Sequence, residues 1–98
     1  MLMRFFLGFI RIHILHHASE GAISGVEMMT ELERHGYSVS PGLMYPTLRP
    51  LERQGYLKSE RKTVGGRVRR FYEATEDGHE ALEEAKKKIK ELIEEVMT

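Results

Sequence analysis

Ser40-Pro41-Gly42-Leu43-Met44-Tyr45-Pro46-Thr47-Leu48-Arg49-Pro50-Leu51-Glu52-Arg53-Gln54 is the stretch that decides the fold of this 98-residue chain. It opens as a helix. Ser40 is a residue type that caps the first orphan N–H groups, and Pro41 takes the first helical position, where its missing N–H costs nothing. Val39 and Met44 are spaced for a hydrophobic staple across that start. With 3.6 residues per turn, Met44, Leu48 and Leu51 share one side and read as the buried stripe. Gly42, Pro46, Arg49, Pro50 and Arg53 gather on the opposite side, with Tyr45 on the flank and Glu52 at the edge. An outward face of that kind suits a polyanion. Pro46 and Pro50 each remove a ladder donor, and an interior proline costs roughly 3 kcal/mol. Because Leu48, Leu51 and then Tyr56-Leu57 keep the apolar rhythm, the stretch reads as one helix bent at Pro50, in preference to a short helix followed by a loop.

Upstream, a second helix starts at Ser24, whose side chain and that of Glu27 form a capping box, with Ile23 and Met28 as its staple. Val26, Met29 and Leu32 read as its buried stripe, and Gly36 supplies the stop. Only Tyr37-Ser38-Val39 then precedes Ser40. Two helices joined by so tight a turn, the second with a basic outer face, form a helix-turn-helix. Ahead of them residues 3–18 read as a first helix, ended by Glu20-Gly21. Phe5, Phe6, Leu7, Phe9, Ile10, Ile12, Ile14 and Leu15 leave it apolar nearly all round. A small domain has too little core to cover both faces, so one face is expected to meet a partner chain. The longest uninterrupted apolar run, residues 5–10, falls far short of the ~20 residues of a membrane span. No cleavage site follows it, so a cytoplasmic protein without a membrane partner is expected.

Downstream of Gly55 the period drops to 2. Leu57–Thr63 and Val68–Ala74 read as strands around Val64-Gly65-Gly66-Arg67, a good hairpin signal. Arg61, Lys62, Arg67, Arg69 and Arg70 decorate it. A helix-turn-helix followed by a basic two-stranded wing is a winged helix-turn-helix, a mostly α architecture with a small β-hairpin (α+β). Thr75 caps a last helix from Glu76 to about Met97. Along it Leu82, Ala85, Ile89, Leu92 and Val96 form a coiled-coil seam of about two heptads. Glu83 with Lys87, Glu84 with Lys88, and Lys90 with Glu94 are spaced for i,i+4 pairs. A lone helix of this kind has nothing of its own to pack on, so it is expected to pair with a second copy and with that copy's first helix. The chain thus divides into a DNA-binding domain, residues 1–74, and a dimerisation helix, residues 75–98. Phe5, Phe6, Phe9, Leu82, Ala85, Ile89, Leu92 and Val96 are the expected dimer residues.

Net charge is zero, yet residues 40–72 hold eight basic and two acidic side chains, a segment of +6 balanced by −6 elsewhere. A clustered basic face matters more to a polyanion than the total does. No cysteine is present, which excludes disulfides, a thiol nucleophile and a cysteine zinc site. There is no phosphate loop, no nucleophile with a plausible base, and no carboxylate pair outside the last helix. The chain does not read as an enzyme, and no cofactor is expected.

Ser40-Pro41-Gly42 with Tyr45-Pro46, Leu48, Leu51-Glu52 and Gly55-Tyr56-Leu57 resembles the PadR family of transcriptional regulators. A second block, Gly65-Gly66-Arg67 with Arg70-Phe71-Tyr72 and Thr75-Glu76-Asp77-Gly78, extends the resemblance over nearly the whole chain. The single terminal helix is similar to that of the small branch, which dimerises through it. The resemblance implies a homodimeric repressor that releases a pseudo-palindromic operator in double-stranded DNA when a small-molecule effector binds. It places the recognition helix at Ser40 to Arg53 and the wing at Lys62 to Arg70. The candidate DNA-binding residues are Ser40, Pro41, Gly42, Leu43, Tyr45, Pro46, Arg49, Arg53, Lys62, Gly66, Arg67, Arg69 and Arg70. Val26 stands where the family usually has an aromatic, and Leu43 and Pro50 replace residues more often polar. Some small members bind flat aromatic drugs between tryptophans, and this chain has no tryptophan.

Arg49 and Arg53 are expected to enter the major groove, where arginine grips guanine bidentately, with Tyr45 and Ser40 on phosphate or base edges. Arg67 and Arg69 should lie along the adjacent minor groove or backbone. Two-fold symmetry then sets half-sites roughly 34 Å apart. Two other readings compete. His13, His16 and His17 include an i,i+4 pair that could bind zinc or nickel, making a metal-responsive sensor. Nothing nearby in the sequence completes that ligand set, and no metal site is expected. A winged helix can also serve as a protein-interaction module, which leaves the +6 segment without a role.

Overall fold

In a computed structural model that describes residues 2–98, the chain runs α1 (Leu2–Phe5), α2 (Leu7–Ser19), β1 (Ile23–Ser24), α3 (Gly25–Arg34), α4 (Pro41–Arg53), β2 (Leu57–Val64), β3 (Arg67–Ala74) and α5 (Glu76–Val96). The helix-turn-helix is α3–α4, and both helices are bounded as local chemistry dictates. At the start of α3, Ser24 Oγ accepts from the Glu27 N–H while Glu27 Oε1 accepts from the Ser24 N–H, both at 3.1 Å. Each helix stops in a Schellman motif built on a glycine at φ +87°. The Gly36 and Tyr37 amides bond the Glu33 and Leu32 carbonyls at 2.9 and 3.0 Å, and the Gly55 and Tyr56 amides bond those of Glu52 and Leu51 at 3.0 and 2.9 Å.

Helix α4 is continuous through Pro46 and Pro50. Met44, Leu48 and Leu51 are buried with Thr47, whose hydroxyl donates to the Leu43 carbonyl at 2.7 Å, and Val39 is buried beside them. Ser40 departs from expectation. Its side chain makes no capping bond, because the Leu43 N–H, the donor a capping hydroxyl takes, already bonds the Ser40 carbonyl at 3.0 Å.

Four further expectations are corrected. The first helix is not one segment over residues 3–18. It breaks at Phe6, where φ −93° and ψ 6° let the ring lie edge-on to Tyr37, 6.3 Å away. On α3 the buried face is Gly25, Met28 and Leu32, while Val26 is 49% exposed and Met29 only partly buried. Tyr45 causes this rotation: a Cβ on Gly25 would stand 2.8 Å from its hydroxyl, so the bare backbone is the packing surface. The sheet has three strands, order β1-β3-β2, because Ile23 and Ser24 pair antiparallel with Tyr72 and Phe71. On α5 the ion pairs form at i,i+3, Lys86–Glu83 at 2.9 Å, Lys87–Glu84 at 3.9 Å and Lys88–Glu91 at 3.6 Å. Glu83 has lysines at both spacings and takes the nearer. All are exposed, and such pairs add little stability.

The β2–β3 hairpin turns on Gly65-Gly66, both at positive φ (59° and 78°), the backbone a two-residue type I′ turn requires. One core gathers Ile10, Ile14, Leu15 and Ala18 of α2, Met28, Leu32, Met44, Leu48 and Leu51 of the helix-turn-helix, Leu57, Tyr72 and Ala74 of the sheet, and Leu82 of α5. Beyond Leu82 the expected seam is uncovered within the protomer: Ala85 and Ile89 are half-buried, and Leu92 and Val96 are 50% and 65% exposed. Phe5 and Phe9 are exposed as well, and Phe6 is half-buried.

Burial holds the His13 and His17 imidazoles below the usual histidine range. His35, His17 and His16 reinforce this at His13; at His17, His16 and His35 reinforce it while Glu31 and Glu20 oppose it. A folded pKa below the unfolded one means that the unfolded chain takes up protons first as pH falls. Stability is therefore complete above about pH 6.5 and declines as pH drops through the lowered values. Thermal melts should show a lower midpoint at about pH 5.5 than at about pH 7.5, and His13→Gln with His17→Gln should flatten that difference.

Candidate nucleic-acid interface

Strict alternation along the hairpin sorts the wing residues onto two faces. Leu57, Ser59, Arg61 and Thr63 oppose Ala74, Tyr72, Arg70 and Val68 across the strands. This is the face that buries Leu57, Tyr72 and Ala74 against the core, so Arg61 and Arg70 extend the helix side of the sheet toward the tip. Lys58, Glu60, Lys62 and Val64 oppose Glu73, Phe71, Arg69 and Arg67 on the outer face. There Lys58 pairs with Glu73 at 3.3 Å, and Lys62 lies 5.5 Å over the Phe71 ring.

A groove of about 420 Å³ separates α4 from the wing, lined by Ser24, Gly25, Val26, Tyr45 and residues 67–70. Tyr45 forms one wall, half-buried against Gly25. Val26 lines the groove and is exposed there, although Gly25 beside it is buried. Ser40, Pro41, Gly42, Pro46, Arg49 and Arg53 are exposed along α4, with Leu43 half-buried; Lys62, Gly66, Arg67 and Arg70 are exposed on the wing, and Arg69 is half-buried.

Arg70 also makes a structural contact that spacing along the sequence does not announce. Its guanidinium donates to Ser59 Oγ at 2.9 Å, and Ser59 donates to Glu52 Oε2 at 2.6 Å. This chain of bonds braces the wing against α4. Burial raises the Tyr72 phenol above its usual value beneath the same junction, with the Arg70 and Arg49 charges pulling it back. Arg61, outside the candidate set, stands exposed opposite Arg70 on the same face of the hairpin.

Among the described residues, Arg49, Arg53, Arg61, Lys62, Arg67, Arg69 and Arg70 have no carboxylate partner within ion-pair distance, whereas Lys58 does. Arg61 faces Arg70 and Lys62 faces Arg69 across the ladder. Like charges placed directly opposite one another cost stability. An anionic ligand lying along the helix and the hairpin tip would relieve that repulsion.

A model of the PadR-like family of transcriptional regulators matches residues 14–84. The chain belongs to this family. It is 50% identical over 88 residues, 90% of its own length and 82% of the relative's, to the transcriptional regulator Rv3488 of Mycobacterium tuberculosis. Its fold matches a PadR family regulator from Eggerthella lenta with a TM-score of 0.85 at 28% identity, covering 98% of this chain and 85% of that one. It also matches the fold of Bacillus subtilis PadR in complex with operator DNA, with a TM-score of 0.70 at 20% identity, over 78% of this chain and 45% of that one. As a PadR member the chain is a transcriptional regulator and not an enzyme. No helix among the described residues is long and apolar enough to cross a membrane.

Proposed function

We propose that this PadR member is a homodimeric, effector-responsive repressor that reads a pseudo-palindromic DNA operator with α4 and grips the flanking backbone with its wing. The observation that carries this is the clustering on α4 and the hairpin of seven of the ten lysines and arginines that lack a carboxylate partner among the described residues, the others being Arg4, Arg11 and Lys90. That the matched fold of Bacillus subtilis PadR is solved in complex with operator DNA supports the DNA-binding reading. Arg49 and Arg53 stand on the exposed side of α4, at the spacing of one helical turn, and read base edges in the major groove. Tyr45 and Ser40 contact the sugar-phosphate at the groove mouth. Arg67 and Arg69 follow the neighbouring minor groove from the outer face of the wing, and Arg61 stands with Arg70 on its helix side. The uncovered seam of α5 and the exposed Phe5 and Phe9 supply the two-fold contact, which sets half-sites roughly 34 Å apart.

Base reading and backbone grip separate by mutation. Arg49→Ala should cost about 1–3 kcal/mol on the operator and little on random DNA. Arg67→Ala should weaken both alike and reduce the salt slope by about one unit. Fluorescence anisotropy with both duplexes measures the four affinities, and equal loss on specific and random DNA for Arg49→Ala would remove its base-reading role.

A further inference from the structure

We propose that His13, His17 and His35 form a binding site for one borderline divalent transition-metal ion, zinc foremost, joining α2 to the corner that follows α3. The three side chains each offer a ring nitrogen, and these nitrogens lie within 4.8 Å of one another. His13 and His17 are one turn apart on α2, and their rings stack at 6.3 Å. His35 arrives from the C-cap of α3, with its ring 4.8 Å from that of His13 and 6.3 Å from that of His17. The third imidazole is therefore supplied from a second element.

His17 points to an ion in its own right. Its Nε2 is buried and has no hydrogen-bond partner among the described residues. Its other nitrogen, Nδ1, faces Glu20 at 3.9 Å. A ligating histidine commonly turns its second ring nitrogen to a carboxylate, which fixes the ring and leaves the first nitrogen for the metal. Zinc–nitrogen bonds of about 2.0–2.1 Å set tetrahedral ligands roughly 3.4 Å apart, so the rings must close by about 1.5 Å. Exposed His35 can supply most of that by rotating. Three neutral imidazoles select zinc, nickel or copper over magnesium and calcium, and they leave a fourth position to water, as in an exchangeable site.

A rival set, His16, His17 and Glu20, lies on the exposed end of α2 alone. It leaves the buried nitrogen unexplained, since Glu20 approaches the opposite side of the His17 ring. The three-histidine set also has a mechanical consequence. An ion there fastens the helix bearing Phe9 to the corner from which Tyr37-Ser38-Val39 leads into α4.

The test uses the full chain and zinc chloride without DNA, so its outcome is independent of how the chain reads an operator. Isothermal titration should give one zinc per chain with a raised melting temperature, and cobalt(II) should show the visible bands of a tetrahedral nitrogen-ligated ion. Loss of an outer-shell partner alone costs 10–100-fold, so His13→Asn and His35→Asn should each weaken zinc by about 100-fold or more. His16→Asn should leave the affinity unchanged. His35 is exposed, so its variant keeps the fold, as circular dichroism will verify. No saturable zinc uptake would overturn the proposal, as would dependence on His16 as strong as that on His35.

Discussion

Gly78→Ala is expected to remove most of the stability of the domain, although alanine normally improves a helix by about 1 kcal/mol over glycine. Gly78 lies buried in the first turn of α5, where a Cβ would run into the backbone carbonyl of Tyr56. That carbonyl cannot step aside. It accepts the Thr75 N–H at 3.1 Å, while Thr75 Oγ1 accepts from the Gly78 N–H at 3.0 Å and donates to the Gly55 carbonyl. Gly55 and Tyr56 in turn close the end of α4. The clash therefore reaches the junction of recognition helix, sheet and α5 at once. Overpacking against side chains costs about 1–3 kcal/mol, and backbone against backbone costs more. Small domains sit near the low end of the 5–15 kcal/mol range, so a loss of about 3 kcal/mol or more should leave a broad, low melting transition. Gly8→Ala provides the contrast. Gly8 is helical and exposed, and nothing lies within 4 Å of where a Cβ would stand, so that variant should melt slightly higher than the parent. A Gly78→Ala protein as stable as the parent would mean that α5 does not dock as described.

The second large effect lies at the other end of α5. Leu92→Glu with Val96→Glu should convert the proposed dimer to a monomer of 11.4 kDa and reduce operator affinity by about 10²–10⁴-fold. Both side chains are at least half exposed in the protomer, so the fold of a single copy should survive. The DNA penalty arises because two tethered half-site contacts become two independent ones. Sedimentation velocity and anisotropy on the same samples separate assembly from DNA contact. A parent chain that sediments as a monomer, or a double variant that keeps full operator affinity, would refute the dimeric reading.

Where periodicity and turn chemistry act locally, the sequence was legible. Val39, Met44, Leu48 and Leu51 announce the inner face of α4 at helical spacing, Ser24 and Glu27 announce the start of α3, and Gly65-Gly66 announces the wing. What escaped depends on contacts between distant parts of the chain. Gly25 contributes no hydrophobic signal, so a face that packs bare backbone against Tyr45 was displaced by one residue onto Val26. Ile23-Ser24 is too short to show alternation, and only β3 makes it a strand. Ser40 reads as a side-chain cap, yet its carbonyl takes the donor first. The candidate site divides in the same way. Basic residues on α4 and the wing are countable from the sequence. The Glu52–Ser59–Arg70 brace is not, nor is the approach of His35 to His13, because each joins elements that only the fold brings together.

The most direct measurement is the affinity of the purified chain for its own upstream DNA and for a random duplex across a salt series, by fluorescence anisotropy. A regulator that docks through these cations should bind two chains per operator and prefer the upstream DNA. With six to ten phosphate contacts its affinity should fall by about 10³–10⁵-fold between about 50 and 200 mM salt. Absence of binding to either duplex at low salt would contradict the assignment of α4 and the wing as a DNA-reading surface.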